Sequence, residues 1–186
     1  MVPLSSLIVP ILLSAVLVFA ASFVIHMLLP IHRTDLRRVP QEDQVLAALG
    51  PFNLAPGDYA LPHAGSPAAM KDPAFIDKMT RGPVAFITVA PSGPPAMGAS
   101  LGLWFGYIVI VSVCAAYISG RALGPGAHYL NVFRFAGCAA FLAYSLALLQ
   151  NSIWWKRSWT MTLKTMLDGL VYAGLTAGTF GWLWPR

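Results

Sequence analysis

The stretch WTMTLKTMLDGLVYAGLTAGTFGWLWPR, residues 159–186, constrains this chain more than any other. Tryptophans stand at both ends, Trp159 on one side and Trp182 and Trp184 on the other. Trp159 and Trp182 are 23 residues apart, about 34 Å of helix at the α-helical rise. That length fits a hydrocarbon core of ~30 Å with part of its interfaces, and tryptophan favours those interfaces. Lys164 and Asp168 lie inside the stretch, four residues apart and so on one helical face. An aspartate at the centre of a membrane helix costs about 2.5–3.5 kcal/mol. Asp168 is about 13 Å beyond Trp159 by helical rise, too deep for its short side chain to reach water. It therefore needs a partner: Lys164, Tyr172 or a group from another span. His26 is at matching depth, and Arg134 comes in from the opposite face and fits less well.

The rest of the chain repeats the pattern. Of its 186 residues 57% are hydrophobic and 10% charged, against roughly 25% charged in soluble domains. Apolar runs at about 4–29, 97–119 and 129–151 join the run at 160–184. The fold expected is all-α: a membrane protein of four transmembrane helices in an antiparallel bundle, forming a single membrane domain over residues 1–186. The first run has no basic residue before it and is too long for a signal peptide, so it reads as a retained helix. Pro10 is expected to kink it, with Ser14 or a neighbouring helix meeting the freed carbonyl.

Residues 31–96 form a small Pro-rich soluble loop segment between helices 1 and 2, holding ten of the fifteen prolines. Pro40, Glu42, Asp43 and Gly50 bracket a short helix at 41–49. A second helical turn or two is expected from Pro73 to Thr80. Val84 to Val89 has strand composition, and Tyr59-Ala60-Leu61 is the best candidate to pair with it. The acids Glu42, Asp43, Asp72 and Asp77 read as solvated charges.

Orientation follows from the cations. Arg33, Arg37, Arg38, Lys71, Lys78, Arg81, Lys156 and Arg157 fall on one side, against Arg121, Arg186 and Arg134 on the other. The positive-inside rule then puts the 31–96 loop in the cytoplasm and both termini outside. The net charge of +5 comes mostly from residues flanking apolar runs, so it sets orientation and gives no reason to expect nucleic acid as a partner. The partners expected are the lipid bilayer and other membrane proteins or a second copy.

The segments FNLAPGDYALP, MGASLGLWFGY and NSIWWKRSWTMTLKTMLDGLVYAGLTAGTFGWLWP resemble an uncharacterised family of small bacterial four-span integral membrane proteins. The resemblance implies a location in the bacterial cytoplasmic (inner) membrane. It implies no activity, because no function is established for that family.

Candidate chemistry is sparse. Gly98, Gly102 and Gly106 recur every four residues, and Gly174 and Gly178 form a GxxxG pair, extended by Gly169, Ala173 and Ala177. Such positions let helix backbones approach closely. Gly98 to Gly102 also matches GxSxG around Ser100, but a nucleophile elbow needs a strand-to-helix turn, and continuation of the glycines to Gly106 favours packing. His26 and His32 can meet across Pro30, where interfacial anchoring is favoured over a metal or haem site. Cys114 and Cys138 lie in apolar runs without metal-ligand spacing. No catalytic, cofactor-binding or metal residue is assigned, and no cofactor is expected. The polar positions singled out are Asp168, Lys164 and His26. Three functional readings follow. The first is a non-enzymatic accessory, assembly or interaction subunit. The second is a small transporter or channel subunit using Asp168. The third and most remote is a membrane-embedded serine hydrolase using Ser100 with His26 as base.

Overall fold

A computed structural model describes all 186 residues. The chain divides into two compact units, residues 1–36 with 96–186, and residues 37–95.

The first unit is helical. Helix α1 (Ile8–Phe23) is preceded by a 3-10 turn, Leu4–Leu7, and followed by a π-helical turn, Val24–Leu28. Three helical stretches, Leu4–Leu28, Met97–Ala122 and Tyr129–Ile153, are long and apolar enough to cross a membrane. The fourth long helix, Trp159–Trp182, has 24 residues but carries Lys164, Asp168 and several threonines. Length and composition alone therefore identify three candidate spans rather than four.

Pro10 does not interrupt a helix. Helix α1 begins at Ile8, so Pro10 stands in its first turn, where a backbone donor has no intrahelical partner anyway. The Ser14 hydroxyl donates to the Ile11 carbonyl and lies 3.1 Å from the Ser112 hydroxyl of the Met97–Ala122 helix.

In the second unit a short helix α2 runs from Glu42 to Leu49. Strands β1 (Gly57–Leu61) and β2 (Ala85–Val89) pair antiparallel, with Tyr59 opposite Ile87. Between them lies α3 (Pro73–Arg81), whose start is capped by the Asp72 carboxylate accepting from the Ala74 N–H. Glu42 pairs with Arg38 and Asp77 with Arg81, each one helical turn away and exposed. These acids are helix-end and surface charges.

The remaining helices are α4 (Met97–Ala122), α5 (Tyr129–Tyr144), the short α6 (Leu149–Ile153) and α7 (Trp159–Trp182). The stretch 129–153 is not one uniform helix. Ser145 leaves helical geometry, a 3-10 turn at Leu146–Leu148 follows, and the Ser145 hydroxyl donates to the Met166 carbonyl of α7 at 2.8 Å. The four long helices form a ring: α1 touches α4 and α7, and α5 touches the same two.

One end of the core gathers Val2, Leu7, Ala115, Ala116, Val132, Ala136, Phe180 and Trp184. Trp184 is thus buried, its indole N–H donating to the Gly124 carbonyl, whereas Trp182 is exposed. The other end gathers Ala15, Val18, Ile25, Ile108, Val111, Ala140, Tyr144, Tyr172 and Ala173.

Close packing inside the unit does not use the glycine stripe of α4. A Cβ added at Gly98, Gly102 or Gly106 would meet no atom within 4 Å, and the same holds for Gly174. At Gly178 it would meet only the Tyr129 hydroxyl, at an ordinary 3.7 Å. The stripe that does work within the chain is Gly169, Ala173, Ala177 and Gly181, every fourth residue of α7. A Cβ at Gly169 would strike Ser145 and the Tyr144 carbonyl, and one at Gly181 would sit 2.6 Å from the Tyr129 ring. Gly137 of α5 would meet the Ala177 Cβ at 2.9 Å. Small residues let α5 and α7 approach closely, and this contact fixes where α7 presents Asp168.

A polar centre between the end of helix 1 and helix 7

The chain turns sharply where α1 ends. In the π-helical turn the Leu29 N–H donates to the Val24 carbonyl, five residues back, at 3.1 Å. One extra residue in a 3.6-residue turn shifts the following side chains by about 100° around the axis. Leu29 is extended, as a residue before proline prefers. Pro30 then opens a 3-10 turn, Pro30–His32. The result folds His32 back over His26: their rings stack in parallel with centroids 4.5 Å apart.

Each imidazole is oriented by an acceptor. The His26 Nδ1–H donates to the Ser22 carbonyl at 3.0 Å. The His32 Nδ1–H donates to Asp35 Oδ2 at 2.6 Å. A carbonyl or an ionised carboxylate can only accept, so in both neutral rings the proton is on Nδ1 and Nε2 carries the lone pair. Ser22 is anchored in turn, its hydroxyl donating to the Phe19 carbonyl and accepting from the Trp104 indole N–H of α4.

Helix α7 supplies the other wall. Lys164 and Asp168 share a face, but they do not pair with each other. The Lys164 ammonium donates to the Ile31 carbonyl at 2.7 Å, to Asp35 Oδ1 at 2.9 Å and to Thr34 Oγ1 at 3.0 Å. All three ammonium protons are thereby spent on the turn that follows α1. Asp168 meets His32 instead, with Oδ2 2.9 Å from Nε2. The intrahelical ion pair expected from the four-residue spacing is replaced by two contacts from one face of α7 to one turn of chain.

The His32–Asp168 contact is one of distance and not of alignment. Both atoms are buried and within ion-pair distance, and the contact falls short of a well-formed hydrogen bond. The Asp168 side chain is 7% exposed and that of His32 14%. One ligating atom from each of His26, His32 and Asp168 lies within 4.8 Å of the other two. His26 is the exposed member of the three.

Asp35 lies outside the apolar spans. Burial works against its charge, but the hydrogen bonds from His32 and Lys164, with the charges of His32 and Lys164, outweigh this and hold its carboxyl below the ordinary carboxylate value. One turn beyond Asp168, the Tyr172 ring is buried between Trp104 and Tyr144, at 6.0 and 5.7 Å between ring centroids, and its hydroxyl has no hydrogen-bond partner. These aromatic rings close one side of the centre.

His26 and Asp168, singled out from sequence, are thus brought together, and Lys164 joins them through Asp35. His32 and Asp35 escaped the sequence reading as partners of Asp168, although the HxxD spacing of a tight turn was there to be read. Ser100 lies elsewhere. Its hydroxyl donates weakly to the Ala96 carbonyl of its own helix at 3.5 Å, while His26 is engaged with Ser22 and His32. Cys114 and Cys138 are exposed and unpaired with each other.

No protein-family model, curated protein or solved structure matches the chain. The functional reading rests on the geometry of this centre.

Proposed function

We propose that this is a non-enzymatic bacterial inner-membrane protein that binds a small cation at the polar centre, as a small transporter or channel subunit does. Charge carries the reading. The centre sets two carboxylates, Asp35 and Asp168, beside two imidazoles and one ammonium, Lys164. Lys164 is spent on Asp35, and Asp168 faces His32 Nε2 at 2.9 Å. Buried charges are paired or coordinate a cation, and intramembrane acids that face a bundle interior commonly line an ion pathway.

Four membrane spans in an antiparallel arrangement belong to this proposal. Helix α7 is its fourth span: Leu163, Leu167, Leu170 and Val171 are exposed on its outer face while Asp168 is turned inward. The cation excess at the 31–96 and 152–158 segments places both in the cytoplasm, so Lys164 and Asp35 mark the cytoplasmic mouth of the centre and Asp168 its floor.

Reconstituted liposomes test the reading. Full-length protein should support cation flux that Asp168→Asn abolishes while its melting temperature in detergent is kept. Equal flux through wild type and Asp168→Asn, or none through either, contradicts it.

The accessory or assembly reading keeps one observation of its own. Gly98, Gly102 and Gly106 are exposed and approached by nothing within the chain, and such a stripe suits a helix from a second copy or another membrane protein. Cysteine crosslinking at Gly102 in native membranes separates the two readings: a specific crosslinked species that persists when flux is absent supports assembly.

A further inference from the structure

We propose that His26, His32 and Asp168 form a binding site for a divalent first-row transition-metal ion of the zinc class. The inference rests on the reading that the polar centre takes a cation, and it names which kind.

The donor set comes first. Two imidazole nitrogens and one carboxylate oxygen suit zinc and its neighbours, including cobalt and iron in the divalent state. Calcium and magnesium want all-oxygen shells, which this centre does not offer. No thiolate is present to select a softer ion, since both cysteines lie away from the cluster at exposed positions.

The tautomers are already set for ligation. Metal-binding histidines usually donate their second ring N–H to a carboxylate or backbone carbonyl, which fixes the ring and raises its basicity. His32 donates Nδ1–H to Asp35, and His26 donates Nδ1–H to the Ser22 carbonyl. Both Nε2 lone pairs are left for an ion. Asp35 is held in turn by Lys164, so the orienting shell has its own support on α7.

His32 Nε2 and Asp168 Oδ2 are both buried and lie close together, as two ligands of one ion do. Two ligands bound to one tetrahedral ion at ~2.0–2.1 Å stand about 3.3 Å apart, so His32 Nε2 and Asp168 Oδ2, 2.9 Å apart, need part only slightly to share it. His26 completes the set, with a ligating atom within 4.8 Å of those of His32 and Asp168. Three protein ligands leave at least one position open for water or for exchange of the ion.

The test uses the full chain, purified in mild detergent and stripped with a chelator. Cobalt(II) and zinc(II) binding are measured by equilibrium dialysis, with cobalt absorption as a second readout. One ion per chain is expected. Asp168→Asn and His26→Gln should each weaken binding by tenfold or more. Asp35→Asn should weaken it by roughly 10- to 100-fold, the usual cost of removing a group that orients a ligand. Gly102→Leu should bind as wild type does, and a large excess of magnesium should not compete. His26 is exposed, so its variant reports on binding even where the Asp168 variant loses stability. Absence of saturable binding, or equal binding by His26→Gln and Asp168→Asn, overturns the site. Saturable binding without flux in liposomes keeps the site and removes the transport reading. Flux that needs Asp168 in a protein that binds no metal removes the site and leaves that reading.

Discussion

His32 Nε2 stands 2.9 Å from Asp168 Oδ2 without a hydrogen bond between them. The two residues come from opposite ends of the sequence. One hangs on a turn produced by a π-helical step and a proline, the other on a helix whose position is set by glycine and alanine contacts. Around them, Asp35 and Lys164 extend the contact toward the end of the bundle, so one turn of chain is clamped onto α7 at two levels.

That clamp makes a stability prediction for the metal-free protein. In double-mutant cycles read by thermal unfolding in detergent, Lys164 and Asp35 should couple by about 0.5–3 kcal/mol, the range for residues in one network. Lys164 and Asp168 should couple less, since Lys164 makes its bonds to Asp35, Thr34 and Ile31. A larger Lys164–Asp168 coupling would restore the intrahelical pair.

Truncating Asp168 should be costly. Asp168→Leu leaves the His32 and Asp35 arrangement without its counterpart on α7, and removing one member of a buried pair typically costs ~3–5 kcal/mol. Asp168→Asn keeps the shape and should cost less. Detergent melting curves of the two variants beside wild type check the order, and equal melting temperatures for all three would show that the centre carries no stability.

The glycines divide into two groups with opposite expectations. Gly169→Ala should lower the melting temperature of the monomer, because its methyl would strike the Tyr144 backbone. Gly102→Leu and Gly106→Leu should leave it unchanged, since a Cβ at either position would meet nothing within 4 Å. If the α4 substitutions instead alter migration in mild detergent while melting is kept, the open stripe joins copies or partners.

Topology has its own check. A reporter fused after Arg186 should be active outside the cytoplasm, and a cysteine placed within residues 60–70 should resist impermeant thiol reagents in intact cells. Labelling of that cysteine from outside reverses the orientation.

Much of this was legible before any coordinates, and the reasons are physical. Apolar runs report helix position directly, because the bilayer fixes their length; the runs at 4–29 and 97–119 match helical stretches at Leu4–Leu28 and Met97–Ala122. The β1–β2 pairing follows from β-branched and aromatic composition around Ile87 and Tyr59. Asp168 stood out because a buried charge is expensive wherever it sits. Its partner did not stand out, because periodicity shows which residues share a helix face and not which face of another element comes to meet them. The nearest cation in sequence, Lys164, was the obvious choice, and the fold sends it to Asp35. The glycine stripes divide for the same reason. A GxxxG spacing permits close approach, but only the packed structure shows that α5 uses Gly169 and Gly181 and leaves Gly102 and Gly106 open.

X-ray absorption at the zinc edge, on the full chain loaded with one equivalent of zinc, addresses the central claim most directly. The account gives nitrogen and oxygen scatterers at about 2.0–2.1 Å with the outer-shell pattern of two imidazoles, falling to one in His26→Gln. A spectrum without imidazole scattering, or one unchanged by His26→Gln and by Asp168→Asn, contradicts it.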